Sequence, residues 1–241
     1  MSKLLKPIAG AVDRTLDTLV PLDCCGCGEP VRGGSLRYLC ELCFRAVDWI
    51  LPPYCLRCGS PGPEECSRCR AEPPAYGRCR ALFNFTGPGR GYAHDLKYRG
   101  ARLLLRDLET LAGFVPGYLE HLNGAALVPV PLHDRKRRKR GFNQSDWLAE
   151  ALARISEGAT VAPVLERVRP TATQTRLSRT ERRENVKNAF ALRAGTRLDT
   201  RRRHVLIDDV FTTGATLEAC ARPLLEAGVP KVDALVLTHG T

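Results

Sequence analysis

No Gly-Lys dipeptide occurs anywhere in the 241 residues, so a Walker A phosphate loop cannot be built and a nucleoside triphosphatase is disfavoured. No apolar run approaches the ~20 residues of a membrane span, and the N-terminus lacks a secretory core followed by a small-residue cleavage site. The expectation is a cytoplasmic protein with no membrane insertion. Aromatic residues make up only 6% of the chain, which leaves phosphate contacts rather than base stacking as the main term expected of any nucleic-acid binding. Acidic residues are in deficit: 26 Asp and Glu face 37 Lys and Arg, a formal net charge of +11. The partner is therefore expected to be an anion, and charge alone does not choose between nucleic acid and a pyrophosphate-bearing substrate.

What is present begins with cysteine. Of 11 cysteines, 10 fall between Cys24 and Cys79, and eight form Cys-x-x-Cys pairs. In a reducing compartment this pattern argues for metal ligation rather than disulfides. Cys24 and Cys27 pair with Cys40 and Cys43 across 12 residues, and Cys55 and Cys58 with Cys66 and Cys69 across 7, which implies two tetrahedral zinc sites of four thiolates each. A cross-braced arrangement, joining Cys24 and Cys27 to Cys55 and Cys58, uses the same ligands and stays open. Gly28 and Gly59 directly follow Cys27 and Cys58 and permit the turn that aims backbone N–H groups at the sulfurs. Cys25, Cys79 and Cys220 have no partner spacing and are expected to act as small apolar residues.

Three regions follow: residues 1–21, an amphipathic helix; 22–75, the cysteine module; and 76–241, an α/β domain. Residues 23–74 have little periodicity and much Cys, Gly, Pro and Arg, so metal must replace a missing core, and chelation is expected to unfold them first. Beyond Pro73-Pro74 the pattern turns to strands near Arg80–Phe85, Ala125–Pro131, His204–Val210 and Val232–Thr238. Helical patterns cover Tyr92–Leu111, set off by Gly87-Pro88-Gly89, and also Asn143–Ile155 and Ala215–Ala227. Residues 169–186 hold almost no apolar side chains and read as a long surface loop.

Within this frame the segment Val205–Leu217 carries the chemistry. Val205, Leu206 and Ile207 have the unbroken apolar character of a strand covered on both faces. Asp208 and Asp209 come next, then Thr212, Thr213, Gly214, Ala215 and Thr216, a small hydroxylated turn directly before a helix, where free N–H groups can wrap an anion. Two carboxylates beside a phosphate-sized loop make a site for a phosphorylated sugar. The segment resembles the diphosphoribose loop of the phosphoribosyltransferases. That resemblance implies that Asp208 and Asp209 hold the ribose hydroxyls of phosphoribosyl pyrophosphate and that Thr212 to Thr216 hold its 5-phosphate.

A second element is Arg135-Lys136-Arg137-Arg138-Lys139-Arg140, six consecutive cations after the apolar strand. Such a run is a solvated tract, a nucleic-acid patch or, at the C-terminal end of a strand where open α/β sheets bind ligands, a pyrophosphate-binding loop. Pro-Val-Pro-Leu-His before it and Arg140-Gly141-Phe142-Asn143-Gln144 after it resemble the ComF family, phosphoribosyltransferase-like proteins associated with DNA uptake during natural transformation. The resemblance extends to Thr171, Gln174, Leu177, Ser178, Glu181, Arg182, Asn185, Val186 and Phe190, with Asp134 and Arg176 departing from the family's pattern.

The family resemblance implies a double zinc ribbon ahead of a type I phosphoribosyltransferase-like parallel sheet flanked by helices. It implies Mg²⁺ bound with the sugar pyrophosphate, and a mobile loop containing Gln174, Ser178, Arg182 and Asn185 that closes over the site. The family's association with DNA uptake points to other DNA-uptake proteins as partners, and the zinc ribbons together with charge beyond what one pyrophosphate requires, Arg201 to Arg203 included, favour single-stranded DNA. Pentosyl transfer, with no acceptor legible, and non-catalytic handling of single-stranded DNA both remain open. Eight paired thiolates satisfy two four-coordinate sites, so elemental analysis of the purified protein should find about two zinc ions per chain; a metal-free protein from zinc-replete medium would contradict the ribbon assignment.

Overall fold

The structure, a computed structural model, describes residues 22–170 and 179–240. The expected helix in residues 1–21 and the loop residues Gln174 and Ser178 lie outside the described residues. The cysteine module carries two short helices, α1 (Glu41–Arg45) and α2 (Ser67–Ala71). β1 (Cys79–Asn84) is followed by α3 (Gly87–His94), a π-helical turn (Asp95–Arg99), a 3-10 turn (Arg102–Arg106) and α4 (Leu108–Gly113). β2 (Ala126–Pro129) leads into α5 (Asp134–Arg140), α6 (Gln144–Ile155) and β3 (Thr160–Val161). A small antiparallel pair, β4 (Leu165–Arg167) and β5 (Phe190–Leu192), brackets α7 (Arg179–Val186). β6 (His204–Phe211), α8 (Ala215–Glu226) and β7 (Val232–His239) follow, and a short 3-10 turn (Glu120–Leu122) lies between α4 and β2.

The main sheet is parallel, with strand order β1-β7-β6-β2-β3. It is the helix-flanked sheet of a phosphoribosyltransferase-like α/β fold. Both faces are covered. Val205 and Ile207 point into one core with Leu127, Tyr92, Leu108 and Leu148, while Leu206 points into the other with Val128, Leu217, Cys220 and Leu224. Each fully buried aliphatic chain of this kind contributes about 1.5–3 kcal/mol, enough to fix the register of β6 against its neighbours. From the adjacent strands β2 and β6 the chain departs in opposite directions, through α6 towards β3 and through α8 towards β7. That reversal opens a crevice at their C-terminal ends.

Several expectations are corrected. Gly87-Pro88-Gly89 is the first turn of α3 rather than a separator; Thr86 is extended before it, and a proline so early in a helix forfeits no hydrogen bond. The stretch 92–111 is not one helix, because Gly100 at φ 64° ends the π-helical turn. The six cations lie in a helix, not a loop. His133 caps it by accepting the Arg135 N–H at 3.2 Å, Asp134 and the cations complement its two ends, and Gly141 closes it at φ 82°. Arg182 and Asn185, expected in a loop, belong to α7, whose apolar Val186 is buried. Low apolar content had concealed both helices.

The cysteine module does not stand apart. Val31, Leu36, Leu39 and Val47 share one core with Leu82, Phe83 and Tyr92. Asp107 accepts the backbone N–H groups of Arg37 and Tyr38 at 2.9–3.0 Å, and Ile50 N–H reaches Leu82 O at 2.9 Å. A side chain at Gly91 would collide with the Cys25 carbonyl, so α3 and the first cysteine knuckle are in backbone contact. The expectation that residues 23–74 unfold ahead of the remainder therefore gives way to cooperative loss. Chelation should lower a single thermal transition by at least about 10 °C; two well-separated transitions in calorimetry would contradict the shared core.

Candidate functional site

Each group of four cysteines converges: the Sγ atoms of Cys24, Cys27, Cys40 and Cys43 lie within 4.8 Å of one another, as do those of Cys55, Cys58, Cys66 and Cys69. The pairing is consecutive, not cross-braced. Gly28 and Gly59 occupy the left-handed region, at φ 80° and 76°, and their N–H groups bond Cys24 O and Cys55 O at 2.8 and 2.7 Å. The two knuckles are thus built alike. Backbone N–H groups point at sulfur, from Gly26 and Cys40 to Cys24 Sγ at 3.4 and 3.3 Å and from Cys66 to Cys55 Sγ at 3.5 Å. Burial alone would raise Cys24 and Cys55, yet these donors bring both down to about 7. Burial and neighbouring sulfurs hold Cys43 and Cys69 above the usual thiol range. Thiols so crowded cannot all ionise without a cation among them, which is what a structural four-thiolate metal site supplies.

The second centre lies in the crevice at the ends of β2 and β6. Asp208 and Asp209 are next to one another on β6, the former partly exposed and the latter buried. Asp208 Oδ1 accepts Ser145 Oγ and the Asp209 N–H, both at 3.0 Å. The Lys97 ammonium stands 3.3 Å from Asp209 Oδ2. Burial, and then the like charge of Asp209, raise the Asp208 carboxyl to about 7, while Lys97 and the two hydrogen bonds oppose the shift. Burial would lower Lys97, but Asp209 and Asp208 overcome it and hold its pKa above the ordinary lysine value.

The segment Arg140–Ser145 explains how Ser145 arrives there. Gly141 ends α5, and Asn143 then caps α6, accepting the Ser145 N–H at 3.3 Å while its amide donates to Val130 O at 3.1 Å. The start of α6 is thereby pinned to the end of β2. Arg140 donates to Gln144 Oε1 at 2.7 Å. Beyond the carboxylates, Phe211 ends β6, Gly214 turns at φ 78°, and Thr213 Oγ1 accepts the Ala215 N–H at 3.3 Å at the first turn of α8. Thr212 is exposed, Thr213, Gly214 and Thr216 are half-buried, and Ala215 is buried. A cleft of about 510 Å³ opens onto Thr213, Gly214 and Ala215, with Arg68, Tyr76 and Arg222 on its walls.

The basic helix divides by face. Lys136 and Arg140 are half-buried, whereas Arg135, Arg137, Arg138 and Lys139 are exposed. Lys136 is held below the ordinary lysine range, first by burial and then by repulsion from Arg167, Arg140 and Lys97. Arg137 instead lines a second cleft of about 290 Å³ with Asp134, Asp146, Arg167 and Arg193. Asn185 is half-buried on α7. Sequence reasoning missed Ser145 and Arg167, and it read Lys97, with His94 and Tyr98, as a surface or packing residue of a helix rather than as a partner of the carboxylates. Lys97 sits in a π-helical turn that a 3.6-residue period does not register, Ser145 lies one residue past the motif, and Arg167 belongs to a three-residue strand.

The chain is 35% identical over 207 residues to DNA utilization protein YhgH of Salmonella typhimurium, covering 81% of this chain and 87% of that protein. It is 34% identical over 224 residues to DNA utilization protein YhgH of Escherichia coli (strain K12), covering 89% and 95%. It is 29% identical over 202 residues to competence protein F of Haemophilus influenzae, covering 81% and 87%. No family model matches.

An acid raised by its fold favours the native state below its unfolded pKa of ~3.9, and that contribution is lost as pH rises through the folded value near 7. Asp208→Asn removes the penalty. At pH 8 the variant should be more stable than wild type by on the order of 2 kcal/mol, with the gap closing towards pH 4. Equal denaturation midpoints at both pH values would show that Asp208 ionises freely.

Proposed function

The chain belongs to the ComF family, and on that basis we propose that it binds phosphoribosyl pyrophosphate with Mg²⁺ in the β2–β6 crevice and acts in the cytoplasm in DNA utilization or uptake. The observation that carries the reading is the adjacent Asp208 and Asp209 near the end of a buried central strand, with Lys97 and Arg167 acting on them and Lys136 and Arg140 close to those two cations. Paired carboxylates accept from the vicinal ribose hydroxyls. The Thr212–Thr216 turn and the N-terminus of α8 receive the 5-phosphate. Pyrophosphate relieves the repulsion from Arg167, Arg140 and Lys97 that adds to burial in lowering the Lys136 pKa. Oxygen donors on two adjacent acids suit a hard cation, and Mg²⁺ entering with the pyrophosphate supplies neutralising charge there. Zinc is the metal proposed for the two thiolate sites.

Lys97 has a distinct role in this scheme. Before ligand arrives it neutralises Asp209 at 3.3 Å, so the sugar must share or displace that contact. If the ribosyl group is transferred, an acceptor nucleophile forms a bond to C1 as the bond from C1 to the pyrophosphate oxygen breaks, and the surrounding cations stabilise the charge that develops on the leaving group.

A second reading, binding of single-stranded DNA, is favoured by cations that do not face the carboxylates. Arg135, Arg138 and Lys139 are exposed and recur at helical neighbour spacing, so they form one positive face. Other DNA-uptake proteins are its expected protein partners.

Calorimetry tests the first reading. Asp208→Asn with Asp209→Asn should weaken phosphoribosyl pyrophosphate binding in Mg²⁺ by about a hundredfold or more, since each lost hydrogen bond to a charged group costs roughly 1.5–3 kcal/mol. Thr213→Val should also weaken ribose 5-phosphate alone, because it alters only the phosphate turn. Absence of wild-type binding, or equal affinity in the double Asn variant, would refute the assignment.

A further inference from the structure

We propose that Tyr98, with His94 and the Arg140 guanidinium, forms a stacking platform for a base of single-stranded DNA whose phosphates run along the exposed face of α5. The proposal rests on the DNA-binding reading above and names the surface that would perform it. Composition suggested too few aromatic rings for stacking, but the fold gathers them into one place. The His94 and Tyr98 rings are 4.9 Å apart, the Arg140 guanidinium lies 5.7 Å from the Tyr98 ring and 5.9 Å from that of Phe142, and Phe142 stacks on Trp147 at 4.3 Å with planes 10° apart. Rings and cations therefore follow one another across the surface.

Packing explains the inner part of this ladder and not the outer. Phe142 and Trp147 are half-buried, and Gly100 must be glycine partly because a side chain there would come within 3.0 Å of the Phe142 ring. Tyr98 is different: it is 62% exposed and belongs to neither core cluster. A large ring held against a guanidinium and left facing water offers a π-face to a nucleobase, and every base can use it. Arg135, Arg138 and Lys139 stand on the exposed face of α5, the helix that Arg140 ends, with charge opposite to that of a phosphate backbone.

Position adds the last element. The Lys97 ammonium is 5.9 Å from the Tyr98 ring and 3.3 Å from Asp209 Oδ2, so it borders both the platform and the carboxylate pair. A base stacked on Tyr98 would lie beside the sugar-phosphate crevice. The proposed DNA surface and the proposed ribose site thus adjoin through one lysine.

The test measures fluorescence anisotropy of a labelled oligothymidylate and of an abasic strand of equal length over a range of salt. Tyr98→Ala should weaken oligothymidylate binding about five- to a hundredfold, leave the salt slope unchanged, and bind the abasic strand as wild type does. Tyr98→Phe should retain wild-type affinity. Replacing Arg135, Arg138 and Lys139 by Ala should instead weaken both strands and reduce the slope of log affinity against log salt by about 2. Unchanged oligothymidylate affinity in Tyr98→Ala, or equal losses on both strands, would overturn the platform while leaving DNA binding intact. Wild-type protein that binds neither strand would overturn the DNA-binding reading itself. An unaltered melting temperature for Tyr98→Ala, expected of an exposed side chain, excludes misfolding as the cause.

Discussion

Two like charges on adjacent residues at the end of a buried strand are the constraint around which the rest of this molecule is arranged. Asp208 and Asp209 cannot both ionise cheaply where water is sparse. Burial has raised Asp208 to about 7, and Asp209 depends on an ammonium from an element remote in sequence. The neighbourhood is built to tolerate this pair: Ser145 is aimed by a helix cap, Lys97 is carried on an irregular turn, and Lys136 and Arg167 add positive potential. A fold selected only for stability would gain by neutralising one acid. Retaining both, at the crevice where the chain reverses direction, is consistent with the vicinal-diol site proposed above.

The regular α/β elements were legible because their burial is periodic. Val205, Leu206 and Ile207 alternate between two helix-covered faces, and Asn143 marks the start of α6 by capping it. The site was half legible. The carboxylates and the threonine turn form a contiguous motif, whereas Lys97 and Ser145 reach Asp209 and Asp208 across many intervening residues and make no local pattern. The basic helix was misread because hydrophobic periodicity is blind to a segment with no apolar residue; the cues were its ends, His133 with Asp134 and Gly141. The dependence of the cysteine module on the α/β body was hidden for a related reason. Val31, Leu36, Leu39 and Val47 are too few to suggest a core until Leu82, Phe83 and Tyr92 are seen beside them.

The second cysteine group bears directly on the turn between β6 and α8. Cys58 Sγ lies 3.2 Å from Ser60 Oγ, which contacts His239 Nε2 at 3.1 Å, and the His239 ring stacks on Phe211 at 4.6 Å. Arg68, from α2 of the same module, lies 5.4 Å from the other partner of that stack, the Phe211 ring. The backbone N–H of Ala75 donates to Glu218 in the first turn of α8 at 2.6 Å. Burial, followed by Arg68, lowers His239 to about 4, so it is neutral at physiological pH and can serve as a hydrogen-bonded strut. The metal-binding module therefore braces the turn where β6 gives way to α8. Its contribution to the crevice is rigidity rather than chemistry.

The distribution of positive charge follows from the same geometry. A net charge of +11 says only that an anion is welcome, but α5 separates two uses of that charge by helical phase. Lys136 and Arg140, one turn apart, are half-buried beside Lys97 and Arg167, where desolvation strengthens each interaction with a bound anion and each repulsion without one. Arg135, Arg138 and Lys139 stand in water, where a single contact is weak and salt screens it, and where several in a row suit a polyanion better than one compact ligand. A loop of the same composition would mix these roles, because nothing would hold its side chains on separate faces. Folding the run as a helix, ended by Gly141 and tied back to α6 through Arg140 and Gln144, sorts six consecutive cations onto a half-buried and an exposed face.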